Sequence, residues 1–346
     1  MSTLAQIARF VRWRDWGPGK LSVFWCLCLY IAVAYDLPFD TFALTFIVFM
    51  AFAFAQSALG YVLNNWGDRE LDRRQFKNNP FNGQTRLEST LALTLTGLAA
   101  FVAGLPLILH PGFALLWITW TAAAAAYSLE PVRLKTKGMV GLVVALAAQW
   151  FLPVLLAFSA FEVAGNWDMW FLALALTVSG AALEIGRQRY DRSRDLLAHV
   201  DTFATSLPDV LVNRVFATAL LLDKLSIGLV LVVVVSAFQE LPPRWSSSLT
   251  WSIVGIYALL LLVTLGDSLR SLRGNTIDDP YYSQHHTAAW LLHETLLNFM
   301  APVSLGIAAS VNDPLFAVFL GLFLVWRVSL ISADRPLRFL RSLRTK

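Results

Sequence analysis

Charge is scarce in this chain. Only 14% of its 346 residues are charged, against about a quarter in a soluble globular domain. That deficit excludes an ordinary soluble fold. Cysteine is nearly absent as well. Cys26 and Cys28 are the only two, both in the first apolar run, and their i,i+2 spacing puts them on different helix faces. A disulfide-stapled scaffold and a cysteine zinc site are therefore excluded. The five histidines show no zinc-ligand spacing. The net charge of +4 is modest. Its basic residues sit between apolar runs, where a membrane would place them, and this argues against nucleic acid as the partner.

What fills the chain is apolar sequence, 57% by count, in runs long enough to cross a bilayer. Ten candidate spans lie near 21–36, 41–63, 89–109, 112–129, 139–160, 168–186, 217–238, 249–268, 288–310 and 314–331. The first is short, and the ninth carries His293 and Glu294. Runs such as 225–238 and 253–265 lack the alternation of a barrel strand. The expected fold is all-α: a polytopic transmembrane helical bundle of nine or ten spans. The chain reads as a single integral membrane domain, 1–346, with residues 1–20 as an amphipathic lead-in and 332–346 as a basic cytoplasmic tail. In that tail, Arg335, Arg338, Arg341 and Arg344 recur every third residue, a pattern suited to a short helix on an anionic leaflet.

Orientation follows from lysine and arginine. With the N-terminus in the cytoplasm and the spans alternating, 26 of the 27 basic residues fall on the cytoplasmic side, Lys224 and Arg327 counted among them, and only Arg244 falls outside. A coarse repeat runs through the chain. One pair of spans leads into a long polar loop, 64–88, and a later pair leads into a second, 187–216. Repeats of this kind often place a site where the two copies meet.

Both loops begin with acidic residues at four-residue spacing. Asn64, Asp68 and Asp72 share one face of a helix leaving the membrane. Their oxygens suit magnesium, which takes one or two carboxylates and fills its shell with water and phosphate oxygens. Asp191 and Asp195 repeat the spacing. Either set alone is equally a solvated helix end, and Arg187, Arg192 and Arg194 offer the second set ordinary ion pairs. Together the two sets can hold two metal ions around one diphosphate. Between them lies a basic loop, Tyr127 to Gly138, whose Arg133 and Lys135 suit phosphate oxygens and also help to set topology.

These pieces resemble the UbiA-type membrane prenyltransferase superfamily. Asn64-x3-Asp68-x3-Asp72 is similar to its first signature, and Asp191-x3-Asp195, followed by Thr202, to its second. Tyr127-Ser128, Pro131, Arg133, Lys135 and Gly138 resemble its basic loop, and Lys77-Asn78-Asn79-Pro80 with Gly83 fills the place of its basic-Pro-Gly segment. The resemblance covers roughly residues 15–270. It implies a bundle around a central cavity open to the cytoplasmic face and laterally to lipid. It implies magnesium and a diphosphate held by Asn64, Asp68, Asp72, Asp191 and Asp195, with Lys135, Arg133 and Lys77 on the phosphates. Four features depart from the pattern. Asn79 stands where an arginine is usual, His199 stands where a glycine is common, ten spans are counted where the family usually has nine, and the segment 270–287, with Asp278, Asp279, His285 and His286, has no counterpart.

The expected activity is transfer of a prenyl group from a prenyl diphosphate to a small aromatic acceptor. The cation that forms as diphosphate leaves must be shielded from water, and a membrane cavity does this. Arg187, Tyr190, Glu184, Asp201 and His199 are candidates for contact near the site. The same ionisation without an acceptor would make a terpene cyclase, and a sugar diphosphate in place of the prenyl one would make a phosphoribosyl transferase. A transporter is the rival outside the class, set back because the carboxylates gather at one membrane face. The expected setting is a bacterial inner membrane, with the site facing the cytoplasm.

Overall fold

The computed structural model describes residues 10–74, 77–273 and 292–330. The expectations placed on 278–286 and on the basic tail lie outside these residues. The described chain is helical. The first three helices are α1 (Trp13–Ala34), α2 (Phe39–Arg74) and α3 (Arg86–Gly104). α4 (Phe113–Ser128) follows, then α5 (Met139–Ala160) and α6 (Trp167–Leu197). After these come α7 (Asp209–Ser236) and α8 (Pro243–Arg273). α9 is a π-helical stretch, His293–Met300, continuing into Ala301–Asn312, and α10 is Ala317–Leu330. Eight helices among the described residues are long and apolar enough to cross a membrane, and Phe113–Ser128 and Pro314–Arg327 are shorter apolar ones. Each of the ten spans read from the sequence thus has its helix.

The chain divides into two compact units. One comprises residues up to Leu21, Ala43–Ala173 and Arg187–Pro208; the other comprises Ser22–Phe42, Leu174–Gly186 and Asp209 onward. In lipid there is little hydrophobic drive between helices, so close packing and side-chain hydrogen bonds hold them together. In the first unit Phe52 packs against the rings of Phe113, Trp117 and Trp120. Gln56 of α2 donates to Thr121 and accepts from Trp117 of α4. In the second unit Phe42 meets Phe316 and Phe319, and Trp25 meets Phe323 and Trp326.

In each unit a proline follows a π-helical stretch. In α5 the turn Ala147–Phe151 is π-helical, with Leu152 N–H donating to Ala147 O. In that register Ala148 O would take the N–H of residue 153, which is proline and has none. Trp120 Nε1 fills the gap, donating to Ala148 O at 2.5 Å. In α9 the π-helical stretch ends just before Pro302, and Arg327 Nε donates to Asn298 O at 3.2 Å. Arg327 also pairs with Glu294.

Two expectations change here. Residues 13–20, read as a lead-in, form the first turns of α1, because their aromatic side chains have a partner inside the unit. Trp16 is buried and stacks on Tyr61 with centroids 5.4 Å apart. Lys224, counted with the cytoplasmic charges, is 1% exposed inside α7 beside an equally buried Asp223. Asp223 accepts from Ser179 at 2.6 Å, and Lys224 donates to Leu220 O.

The approach that matters most to the site is at Gly67 of α2. A Cβ there would collide with the carbonyl oxygen of Ser128, the last residue of α4. Gly67→Ala is expected to cost about 1–3 kcal/mol through overpacking, seen as a lower unfolding midpoint in detergent. Gly97→Ala, which meets open space inside α3, is the control expected to hold or raise the midpoint, since alanine is the better helix former.

Candidate active site

All ten site residues read from the sequence lie in the first unit. The first motif rides on the end of α2. The apolar part of this helix ends at about residue 63, and its last three turns carry Asn64, Asp68 and Asp72 at helical spacing. Because Gly67 lets α2 touch the end of α4, the chain leaving α4 must pass directly over this face. It does so in a tight turn. Arg133 N–H donates to Leu129 O at 2.7 Å, and Arg133 itself stands in the left-handed region at φ 38°, a conformation that costs a non-glycine residue about 1 kcal/mol. A short 3-10 turn, Leu134–Thr136, follows.

That turn brings two cations onto one carboxylate. Arg133 Nη2 lies 3.1 Å from Asp68 Oδ1, and Lys135 pairs with the same oxygen. Lys135 Nζ is also 3.4 Å from Asn64 Oδ1. The Lys135 and Asp68 side chains are only 11% and 17% exposed. Burial pushes the Lys135 pKa down, and the neighbouring Asp68 carboxylate partly restores it. The other arm of Arg133 reaches Glu130 at 3.0 Å. Its Nε is buried and has no hydrogen-bond partner among the described residues, a rare condition for a charged donor.

The second motif sits on the cytoplasmic end of α6 as read from the sequence. Asp191 is paired with Lys77 at 3.4 Å and with Arg194 at 3.4 Å. Asp195 is buried. Arg187 donates to the Tyr127 hydroxyl at 3.3 Å. Tyr190 is about half exposed, with the Arg194 guanidinium over its ring. Arg192, offered above as an ion-pair partner of the motif, also donates to Ala204 O and Leu207 O and closes the loop behind it.

Backbone joins the basic loop to this second motif. Gly138 N–H donates to Asp201 O at 3.2 Å, and Gly138 bridges to Thr202. Its φ of 53° is open to glycine at no cost. His199 stands at φ 52°, which gives a physical reason why glycine suits that position. Its side chain and Asp201 are exposed, while Glu184 is buried in α6.

A cavity opens beside Asn64, lined by the polar side chains of Lys20, Tyr61, Tyr127 and Arg187 and by the apolar Trp120, Ala145 and Ala148. Gln149, carried on the π-helical turn before Pro153, also lines it. The sequence pointed to none of Lys20, Gln56 or Gln149. Each looked like an isolated polar residue beside or within an apolar run, and only the packing of α2, α4 and α5 brings them to one space.

Among the described residues no three histidine, cysteine, aspartate or glutamate side chains converge as a ready metal cage. The donor set still fits magnesium. Pairs of carboxylates with an amide oxygen leave coordination places for phosphate oxygens and water, which is how magnesium is commonly held.

A family model for UbiA prenyltransferases matches residues 22–292. The chain belongs to the UbiA prenyltransferase family. It is therefore a multi-pass membrane prenyltransferase. A solved structure of digeranylgeranylglyceryl phosphate synthase is similar over 95% of this chain and 100% of that one, at 14% identity and a TM-score of 0.46. At that distance the likeness says nothing about substrates. No curated protein matches the sequence.

For this UbiA-family protein the buried and exposed pairs make opposite predictions. Asp68→Ala strands the buried Lys135 ammonium, and breaking such a pair typically costs about 3–5 kcal/mol. Glu70 pairs with Arg73 and Arg74 at the exposed edge of the same helix, where ion pairs contribute little. Thermal unfolding in detergent is expected to fall clearly for Asp68→Ala and to stay unchanged for Glu70→Ala.

Proposed function

We propose that this protein is a magnesium-dependent enzyme that transfers a prenyl group from a prenyl diphosphate to a small aromatic acceptor, on the cytoplasmic side of a bacterial inner membrane. The observation that carries the reading is the buried Nε of Arg133, a charged donor without a partner beside Asp68. A phosphate oxygen is the natural acceptor for it. The whole chain is taken as one enzymatic domain, since residues 22–292 draw on both compact units.

In this reading Asn64, Asp68, Asp72, Asp191 and Asp195 hold the metal–diphosphate. Magnesium, when bound, offsets the negative charge that gathers on the departing diphosphate. Lys135, Arg133 and Lys77 exchange their carboxylate partners for phosphate oxygens and hold the leaving group in place. The bond between the prenyl C1 and the diphosphate oxygen breaks, and its electron pair leaves with the diphosphate. The acceptor forms the new bond to C1 and releases a proton. Arg187 and Tyr190 contact substrate at the rim.

Support for an acceptor, as opposed to self-cyclisation, comes from the cavity beside Asn64. A cyclase needs an inert lining around its cation, whereas this cavity offers hydroxyl, amide and charged groups. The polar groups suit a substituted ring, and Trp120 with its alanine neighbours suits the ring's faces.

The test is turnover of geranyl, farnesyl and geranylgeranyl diphosphates by the protein in lipid, with and without magnesium and a panel of phenolic acceptors. The reading predicts diphosphate release that needs both metal and acceptor and is lost in Asp68→Ala and Asp191→Ala. Terpene formation without acceptor would replace it with cyclisation. Unchanged turnover in both variants would remove the acidic motifs from the chemistry.

A pH profile follows from Lys135. Its lowered pKa means that its charge is lost at a lower pH than for an ordinary lysine. Turnover is expected to fall on an alkaline limb below the usual lysine range. Lys135→Arg stays charged throughout and is expected to move that limb to higher pH. An identical limb in both proteins would show that Lys135 does not set it.

A further inference from the structure

Asn79 carries no charge and no spacing that draws attention, yet it is among the most buried polar side chains in the first unit, at 2% exposure. Both its amide hydrogens and its oxygen are engaged. Its Nδ2 donates to Asp72 Oδ2 at 2.8 Å and to Asn65 O, also at 2.8 Å. Its Oδ1 accepts from Phe81 N–H at 2.9 Å. Phe81 is wholly buried, with its ring edge-on to Phe10 and Trp66. The amide is thus locked at both ends. The aromatic packing of Phe81 fixes its oxygen, and the two nitrogen contacts fix its other end.

The consequence falls on Asp72. One carboxylate oxygen is held by Asn79, which sets the plane of the group and leaves Oδ1 as the oxygen directed away from that contact. Asp68, one turn earlier on the same face, is held by cations. Asp72 is oriented by a neutral amide. A neutral donor fixes direction without cancelling the charge a cation would need.

We infer that Asn79 is a positioning residue, which sets the Asp72 carboxylate for the metal ion. The inference rests on the reading that Asp72 is a metal ligand. Hydrogen-bond partners of metal-binding side chains commonly change metal affinity by about ten- to a hundred-fold when removed.

The experiment is a Mn2+ titration followed by electron paramagnetic resonance, on the full chain in nanodiscs of zwitterionic lipid. Wild type is compared with Asn79→Ala, Asn79→Asp, Asp72→Ala and the double variant Asn79→Ala/Asp72→Ala. Asn79→Asp keeps the size and the acceptor for Phe81 N–H but sets a second carboxylate oxygen against Asp72 in place of the donor, which turns the Asp72 carboxylate away, so it separates positioning from folding of the loop. Both Asn79 variants are expected to bind Mn2+ about ten- to a hundred-fold more weakly. The double variant is expected to be no weaker than Asp72→Ala alone, because Asn79 acts through Asp72. Wild-type affinity in a folded Asn79 variant, or a loss in the double variant equal to the sum of the singles, would overturn the inference and leave the metal role of Asp72 standing. Wild-type affinity in Asp72→Ala would overturn that role and the inference with it.

Discussion

The closeness of α2 to the end of α4 is the constraint on which the site depends. At Gly67 a helix backbone meets the Ser128 carbonyl with no room for a methyl group. Everything after Ser128 inherits that proximity. The basic loop crosses the face that carries Asp68, and Arg133 adopts a left-handed backbone in the turn. Two cations and one carboxylate therefore share a small, half-dry volume. Taking such charges out of water is costly, and only their mutual attraction and their hydrogen bonds offset the cost. A site assembled this way has its charges gathered before any ligand arrives, so a diphosphate that binds exchanges partners with groups already in place.

The second motif reaches the same unit by a different route. α6 leaves the unit after Ala173 and rejoins it at Arg187, so the residues that follow carry Asp191 and Asp195 back to it. Lys77 ties Asp191 to the loop after α2, and Gly138 ties the loop after α6 to the basic loop by backbone. Three segments far apart in sequence thus hold one another by ion pairs and main-chain bonds. In this protein Asp68 and Asp191 are paired with candidate phosphate-binding cations, while Asp72 is held by the Asn79 amide.

Much of this was legible in the sequence because the signals were local. Continuous apolar runs such as 225–238 have no stable form in lipid other than a helix, and four-residue spacing fixes which side chains share a face. Asp68 and Asp72, or Asp191 and Asp195, need no tertiary information to be paired. What stayed hidden depends on contacts between segments. Lys224 looked like a flanking charge because hydropathy alone does not show that α7 buries it. Trp16 looked like part of a surface lead-in because its partner, Tyr61, is 45 positions away. Gln149 sits in unremarkable local sequence, and Asn79 stands out only as a departure from the family pattern, with no local sign of its partner. The first is displayed by a π-turn that Pro153 imposes, and the second acts only through the fold that carries it to Asp72.

The central claim is that the motif carboxylates and their paired cations part to receive a diphosphate. The most direct measurement is an experimental structure in lipid with magnesium and an unreactive prenyl thiolodiphosphate bound. The account predicts the diphosphate between Asp68 and Asp191, with Lys135, Arg133 and Lys77 turned from those carboxylates to phosphate oxygens. A ligand bound elsewhere, with the Lys135–Asp68 and Lys77–Asp191 pairs intact, would contradict it.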